Sequence, residues 1–153
     1  MTMDEAMAVL QRDAALHLTQ RCSERDLEVL EEGLGKRLPA EFRTLLAHVG
    51  GGILYDKHEV FGGRRLMVHD IELVPDLLTV RRRLEESRPP WPAHLVPIHR
   101  CEGALHLFDL SRGGSAPVLA EDGRAWPDLP AFLEAVVLPA HRPGEGPGRE
   151  APR

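Results

Sequence analysis

Asparagine is absent from this 153-residue chain, and lysine occurs twice against seventeen arginines. Such usage reads as genome base composition more than function. Cysteine also occurs only twice, at Cys22 and Cys101, so no disulfide framework is available and a reduced, cytoplasmic setting is expected. No apolar run approaches the roughly 20 residues that a membrane-spanning helix needs. The acidic start at Asp4-Glu5 does not match the basic, then apolar, pattern of a secretory leader. Positive charge is in deficit, with a formal net charge of −5. A general nucleic-acid binder needs a basic surface to release counterions, so that class is set aside. A basic protein partner suits the charge better. Hydrophobic content of 42% and charged content of 28% are ordinary for one soluble domain with a single core.

The clearest local pattern lies in residues 34–52. Leu38-Pro39 opens a helix, because proline tolerates a first-turn position whose amide has no partner. Phe42, Leu45, Leu46 and Val49 follow at helical spacing on one face. Gly50-Gly51-Gly52 stops the helix, since glycine takes the left-handed conformation common at helix ends. Upstream, Thr2 with Glu5 predicts a capping box and a first helix over 3–18. Ser23 with Asp26 predicts a second cap, with Leu27, Leu30 and Leu34 as the buried stripe and Gly33 and Gly35 as the stop.

Beyond the glycines the period shortens. Residues 53–55, 59–61 and 64–69 read as strands, with Gly62-Gly63 as a hairpin turn between the last two. Asp76 caps a helix to residue 87. Pro97 demotes the strand 95–99 to an edge or a bulge. Residues 104–110 are apolar on both faces apart from His106 and Asp109, which suits a central strand. Residues 116–120 return as another, and Asp128 caps a final helix. The stretch 139–153 holds too few apolar side chains to offset its ordering entropy and reads as a disordered tail. The expectation is an α+β fold with a mainly antiparallel sheet of five to six strands. N-terminal helices, a middle helix and a C-terminal helix pack on it. One domain covers 1–138, with a helix and linker over 1–22 and the core over 23–138.

Chemical motifs are sparse. His99, Cys101, His106 and Asp109 crowd one hairpin, and all are zinc-ligand types, but no CxxC or HExxH accompanies them. Buried structural side chains are the better reading, and a metal-dependent enzyme ranks third among the functions considered. Gly113-Gly114-Ser115 lacks the second glycine and the following helix of a nucleophile elbow. Gly62-Gly63-Arg64-Arg65 lacks the P-loop lysine. His69-Asp70 has no nucleophile to serve. In Arg81-Arg82-Arg83 the arginines suit pairing with Glu85 and Glu86 on their own helix. Glu24, Glu28 and Glu31 share the helix face opposite the leucines, with Glu32 and Asp26 beside them. That face is either a plain solvated surface or a docking surface for a basic protein.

The order of these pieces resembles the SUKH superfamily, which includes fungal cell-wall-assembly regulators and many bacterial immunity proteins. The resemblance is carried by Glu31-Glu32-Gly33-Leu34-Gly35, Leu38-Pro39-Ala40-Glu41-Phe42, Leu45-Leu46 and Gly50-Gly51-Gly52. It continues through Trp91 before Leu95-Val96-Pro97-Ile98, the 103–110 strand, Pro117-Val118 and Phe132-Leu133, and so spans 23–138. His99-Arg100-Cys101-Glu102 departs from the small-residue and acidic-Gly turn usual at that place. The resemblance implies an α+β binding module with no catalytic residues, cofactor or metal. It also implies a gene beside a secreted toxin, often a nuclease, which the module neutralises by binding. On this reading Leu38, Pro39, Phe42, Leu45, Leu46, Gly50, Gly51, Trp91 and Phe132 hold the fold. Glu24, Glu28, Glu31 and Glu32 are the candidate contacts for a basic toxin domain. A regulatory scaffold for a host protein is the alternative.

Overall fold

The computed structural model describes residues 1–12, 16–111 and 115–138. Gly113-Gly114 and the stretch 139–153 therefore lie outside the described residues.

The first cap forms as expected: Glu5 N–H donates to Thr2 Oγ1 at 3.2 Å and Thr2 N–H donates to Glu5 Oε1 at 2.7 Å. The helix it starts, α1 (Met3–Arg12), buries Ala6, Met7, Val9 and Leu10. The expected helix runs to residue 18, but its last three residues are not helical. Leu16–Leu18 instead form β1, antiparallel to β2 (Gly52–Leu54). Backbone groups along β2 need partners, and that demand outweighs the small helix preference of the 16–18 stretch.

Helix α2 (Glu24–Leu34) is capped at both ends. Ser23 and Asp26 form the reciprocal box, and Gly35 closes the helix at φ 70°. Helix α3 (Ala40–Val49) buries Phe42, Leu45, Leu46 and Val49, the stripe that the spacing predicts. Leu38 is buried ahead of it, and Pro39 occupies the cap position.

The remaining elements are β3 (His58–Val60), β4 (Leu66–Val68), β5 (Ile71–Val74), α4 (Leu77–Ser87), β6 (Leu95–Cys101), β7 (Ala104–Asp109), β8 (Val118–Ala120) and β9 (Ala125–Trp126). Helix α5 (Leu129–Phe132) starts at the Asp128 cap and continues as a π-helical turn, Leu133–Val137. The fold is α+β. Among the described residues the main sheet has seven strands in the order β1-β2-β3-β6-β7-β8-β9, with every neighbouring pair antiparallel. β4 and β5 form a separate two-stranded ribbon.

That ribbon corrects the sequence reading of Gly62-Gly63. The two glycines join no hairpin: β3 pairs with β2 and β6, and β4 pairs with β5. Residues His69 and Asp70 make the ribbon's turn, both at positive φ of 51° and 65°. Gly62 serves a backbone crossing instead. A Cβ there would sit 1.8 Å from Gly50 O, so only glycine fits. Gly52 does the same against β1, where a Cβ would come within 2.2 Å of His17 O. The glycine run thus ends α3 and also lets backbone segments lie against one another without side chains between them.

Pro97 sits in the central strand β6 at a bulge, the second of the two placements its missing donor permits. β7 is central and buried on its middle four residues. Phe42 of α3 meets Phe108 of β7 edge to face at 5.3 Å, which ties the helical layer to the sheet. Trp91 Nε1–H donates to Leu95 O at 2.8 Å and pins the proline-rich loop to the start of β6.

Candidate functional site

The four glutamates of α2 meet two different surroundings. Glu31 turns inward. Its side chain is 13% exposed, its Oε1 pairs with Arg43 at 3.1 Å, and its Oε2 accepts the Leu38 N–H at 2.8 Å. It braces the corner between α2 and α3. Glu24, Glu28 and Glu32 face solvent, with side chains 72%, 52% and 71% exposed. Glu24 also pairs with Arg43, while Arg25 lies 3.6 Å from Glu28 and 3.7 Å from Glu32. Asp26 contacts Arg64 at 3.7 Å and closes the cap with Ser23, whose hydrogen bonds hold its carboxyl below the usual range. Arg25, Arg43 and Arg64 thus pair with the carboxylates of this helix, and Lys36 and Arg37 line the same shallow depression as Glu28, Glu31 and Glu32.

The histidines of the 99–106 hairpin also come together, and with a third that sequence reading missed. His58 of β3 pairs in register next to β6, and the rings of His58, His99 and His106 form a buried row across three strands. His58 Nδ1 lies 2.9 Å from His99 Nε2, and His99 Nδ1 lies 3.0 Å from His106 Nδ1. Each contact needs one N–H and one lone pair, so three neutral rings satisfy both with all donors running the same way. His106 Nε2 is buried without a partner. Phe132 and Trp126 pack against the row with centroids 4.9 Å and 5.6 Å from His106.

Burial drives the electrostatics of this row. It lowers all three histidines, and His99, flanked by His106 and His58, is pushed down to about 2. The nitrogens point at one another and not at a shared centre. Among the described residues no group of three or more His, Cys, Asp or Glu side chains is arranged to hold a metal ion. Cys101 is half-buried, and burial with the neighbouring Glu102 raises its thiol, the reverse of what an activated nucleophile needs. The signal for His58 was available only through strand pairing, since it lies forty-one residues from His99.

The other sequence motifs disperse. Ser115 Oγ donates to Glu41 at 3.2 Å. His69 and Asp70 stay exposed in the ribbon turn. Arg81 pairs with Glu85 within α4 at 3.6 Å, as read, but Arg83 reaches across to Glu72 of β5 at 3.1 Å. No helix of the described residues is long and apolar enough to cross a membrane.

The family model described as "SMI1 / KNR4 family (SUKH-1)" matches residues 21–135, most of the described chain. A solved structure described as "Crystal structure of protein from Pseudomonas syringae pv. tomato" is similar over 87% of this chain and 96% of its own. Its TM-score is 0.64 at 17% identity, a likeness of fold. No curated protein is similar enough to match.

Proposed function

Because the chain belongs to the SMI1/KNR4 family (SUKH-1), we propose that it is a non-catalytic, cytoplasmic immunity protein that neutralises a toxin domain by covering it. The family match over residues 21–135 is the observation that carries this reading. The partner is a basic, nuclease-like toxin domain, and the solvent face of α2 supplies part of the contact. Three features support that choice of surface. The helix is closed by a capping box at one end and Gly35 at the other, so little ordering entropy remains to be lost on docking. Glu24, Glu28 and Glu32 hold their carboxylates in solvent. Their partner Arg25 is itself 71% exposed, and such surface pairs are worth about 0–1 kcal/mol. A lysine or arginine of the partner can take Arg25's place at small cost. Glu31 contributes through the α2–α3 corner it braces, with Glu24, Glu28 and Glu32 as the direct contacts.

The test is co-purification with toxin domains encoded beside the gene, followed by calorimetric titration. The triple change Glu24→Lys, Glu28→Lys and Glu32→Lys should weaken a confirmed complex at least about tenfold, with a steep salt dependence in the parent protein. An unchanged complex would end the acidic-face assignment. Failure to bind any neighbouring toxin, or to protect cells expressing it, would end the immunity reading.

A further inference from the structure

The ribbon β4–β5 stands apart from the rest of the surface. Met67, Val68, Ile71 and Leu73 are each between 38% and 62% exposed, and they fall within a single hairpin. Its base is anchored by buried Val74, but its tip from Val68 to Ile71 is exposed throughout. Val68 and Ile71 are a matched pair on one face of the ribbon. Leu73 is left unmatched by the register shift that pairs Leu66 with Val74 and Met67 with Glu72. As strands, β4 and β5 bond only to each other, so their outer edges are open among the described residues. An exposed apolar ribbon with open edges is a feature proteins ordinarily cover or blunt with charge.

The rim of this ribbon carries the opposite charge to the chain as a whole. A cleft of about 530 Å³ between the ribbon and α4 is lined by Arg64, Arg65, Arg82 and Arg83 in a protein of net charge −5. Its two carboxylates are already engaged: Glu72 with Arg83 at 3.1 Å, and Asp76 with the Thr79 hydroxyl at 2.7 Å as the cap of α4. Arg64 pairs with Asp26. Arg65 and Arg82 have no carboxylate within ion-pair distance among the described residues.

We propose that the β4–β5 ribbon and its arginine rim form a second docking surface, which takes up an extended segment of another protein that alternates apolar and acidic side chains. The segment adds a strand to an open ribbon edge. Its apolar side chains cover Val68 and Ile71, and its carboxylates meet Arg65 and Arg82. Main-chain bonds supply affinity in this mode, and the alternating side chains supply selection. Among the described residues this surface meets that of α2 only at the Arg64–Asp26 pair, and Arg65, Arg82, Val68 and Ile71 lie outside the α2 face, so the assignment stands whether or not the partner there is a toxin.

A labelled eight-residue peptide alternating glutamate with valine, titrated into the full chain by fluorescence anisotropy, tests the assignment. Saturable binding is expected, together with slowed hydrogen exchange confined to 66–74. Arg65→Glu with Arg82→Glu should weaken it at least tenfold. Val68→Thr with Ile71→Thr, which keeps strand-forming residues at the tip, should weaken it at least threefold. Thermal melts confirm that both variants remain folded. No binding at millimolar peptide, equal binding of a lysine–valine peptide, or protection outside the ribbon would overturn the proposal. So would equal binding of a plain glutamate peptide with no effect of the threonine changes, since that is ion exchange without docking. A dimer at micromolar concentration that the threonine changes abolish would assign the surface to a second copy, and the proposal would fail.

Discussion

At the scale of single residues, the glycines separate into two physical kinds. Gly62 has ordinary φ but no room: a Cβ would lie 1.8 Å from Gly50 O and 2.8 Å from Gly50 C, both backbone atoms that cannot rotate away. Gly103 has room but a left-handed backbone, with φ 85° and nothing within 4 Å of a Cβ. Gly62→Ala should therefore cost about 3 kcal/mol through forced displacement of the 50–52 backbone. Gly103→Ala should cost only about 1–2 kcal/mol, the penalty for a left-handed residue. Urea denaturation of the two variants decides between them, and equal losses would mean that the crossing relaxes freely. The sequence shows a glycine at both places but not what passes beside it. From sequence Gly62 reads as a turn, because the crossing depends on Gly50, which lies in an earlier glycine run whose local pattern signals only a helix stop.

At the scale of elements, side-chain caps were legible and backbone pairings less so. Ser23 with Asp26, Asp76 and Asp128 each accept the amide that their spacing predicts. These signals are short-range, complete within four residues. The strand at Leu16–Leu18 and the position of His58 depend on which strand lies alongside, with Leu16 opposite Leu54 and His58 beside His99, partners that no local window contains. The acidic face of α2 was legible as a helical face. That Glu31 belongs to the α2–α3 corner was not, because the Leu38 amide and Arg43 reach it only after the chain turns at Gly35. This corner yields a prediction. Glu31→Ala leaves the Leu38 amide without its acceptor and Arg43 without its less exposed partner, and should cost about 2 kcal/mol. Glu32→Ala, at a side chain 71% exposed, should stay within about 0.5 kcal/mol. Equal melting temperatures for the two variants would show that the corner does not need its brace.

At the scale of the whole molecule, three adjacent strands each place one imidazole in the same buried row, so the protonation of that row is coupled to global unfolding. Burial holds His58, His99 and His106 below the ordinary histidine range. In the unfolded chain all three bind protons near pH 6.5. Below that value the unfolded state holds more protons than the folded one, so stability is present above about 6.5 and falls as pH drops. The loss is about 1.4 kcal/mol per pH unit for each ring that stays neutral. Glu5, Asp26 and Asp122 have carboxyls lowered by hydrogen bonds and add a loss of the same sign, but in the lower window of carboxylate titration. Between pH 6.5 and 5 the histidine row therefore governs the slope. The urea midpoint should fall steadily across that interval while the ring-proton resonances of His99 in the folded state stay at their neutral positions. Glutamine supplies both a donor and an acceptor without titrating, so His106→Gln should make the slope shallower while keeping a partner for His99. A midpoint flat from pH 7 to 5 would mean that the row takes up protons in the folded state as readily as in the unfolded chain. The contacts at 2.9 Å and 3.0 Å would then have to be shared with a proton that the surrounding Phe132 and Trp126 do nothing to stabilise by hydrogen bonding.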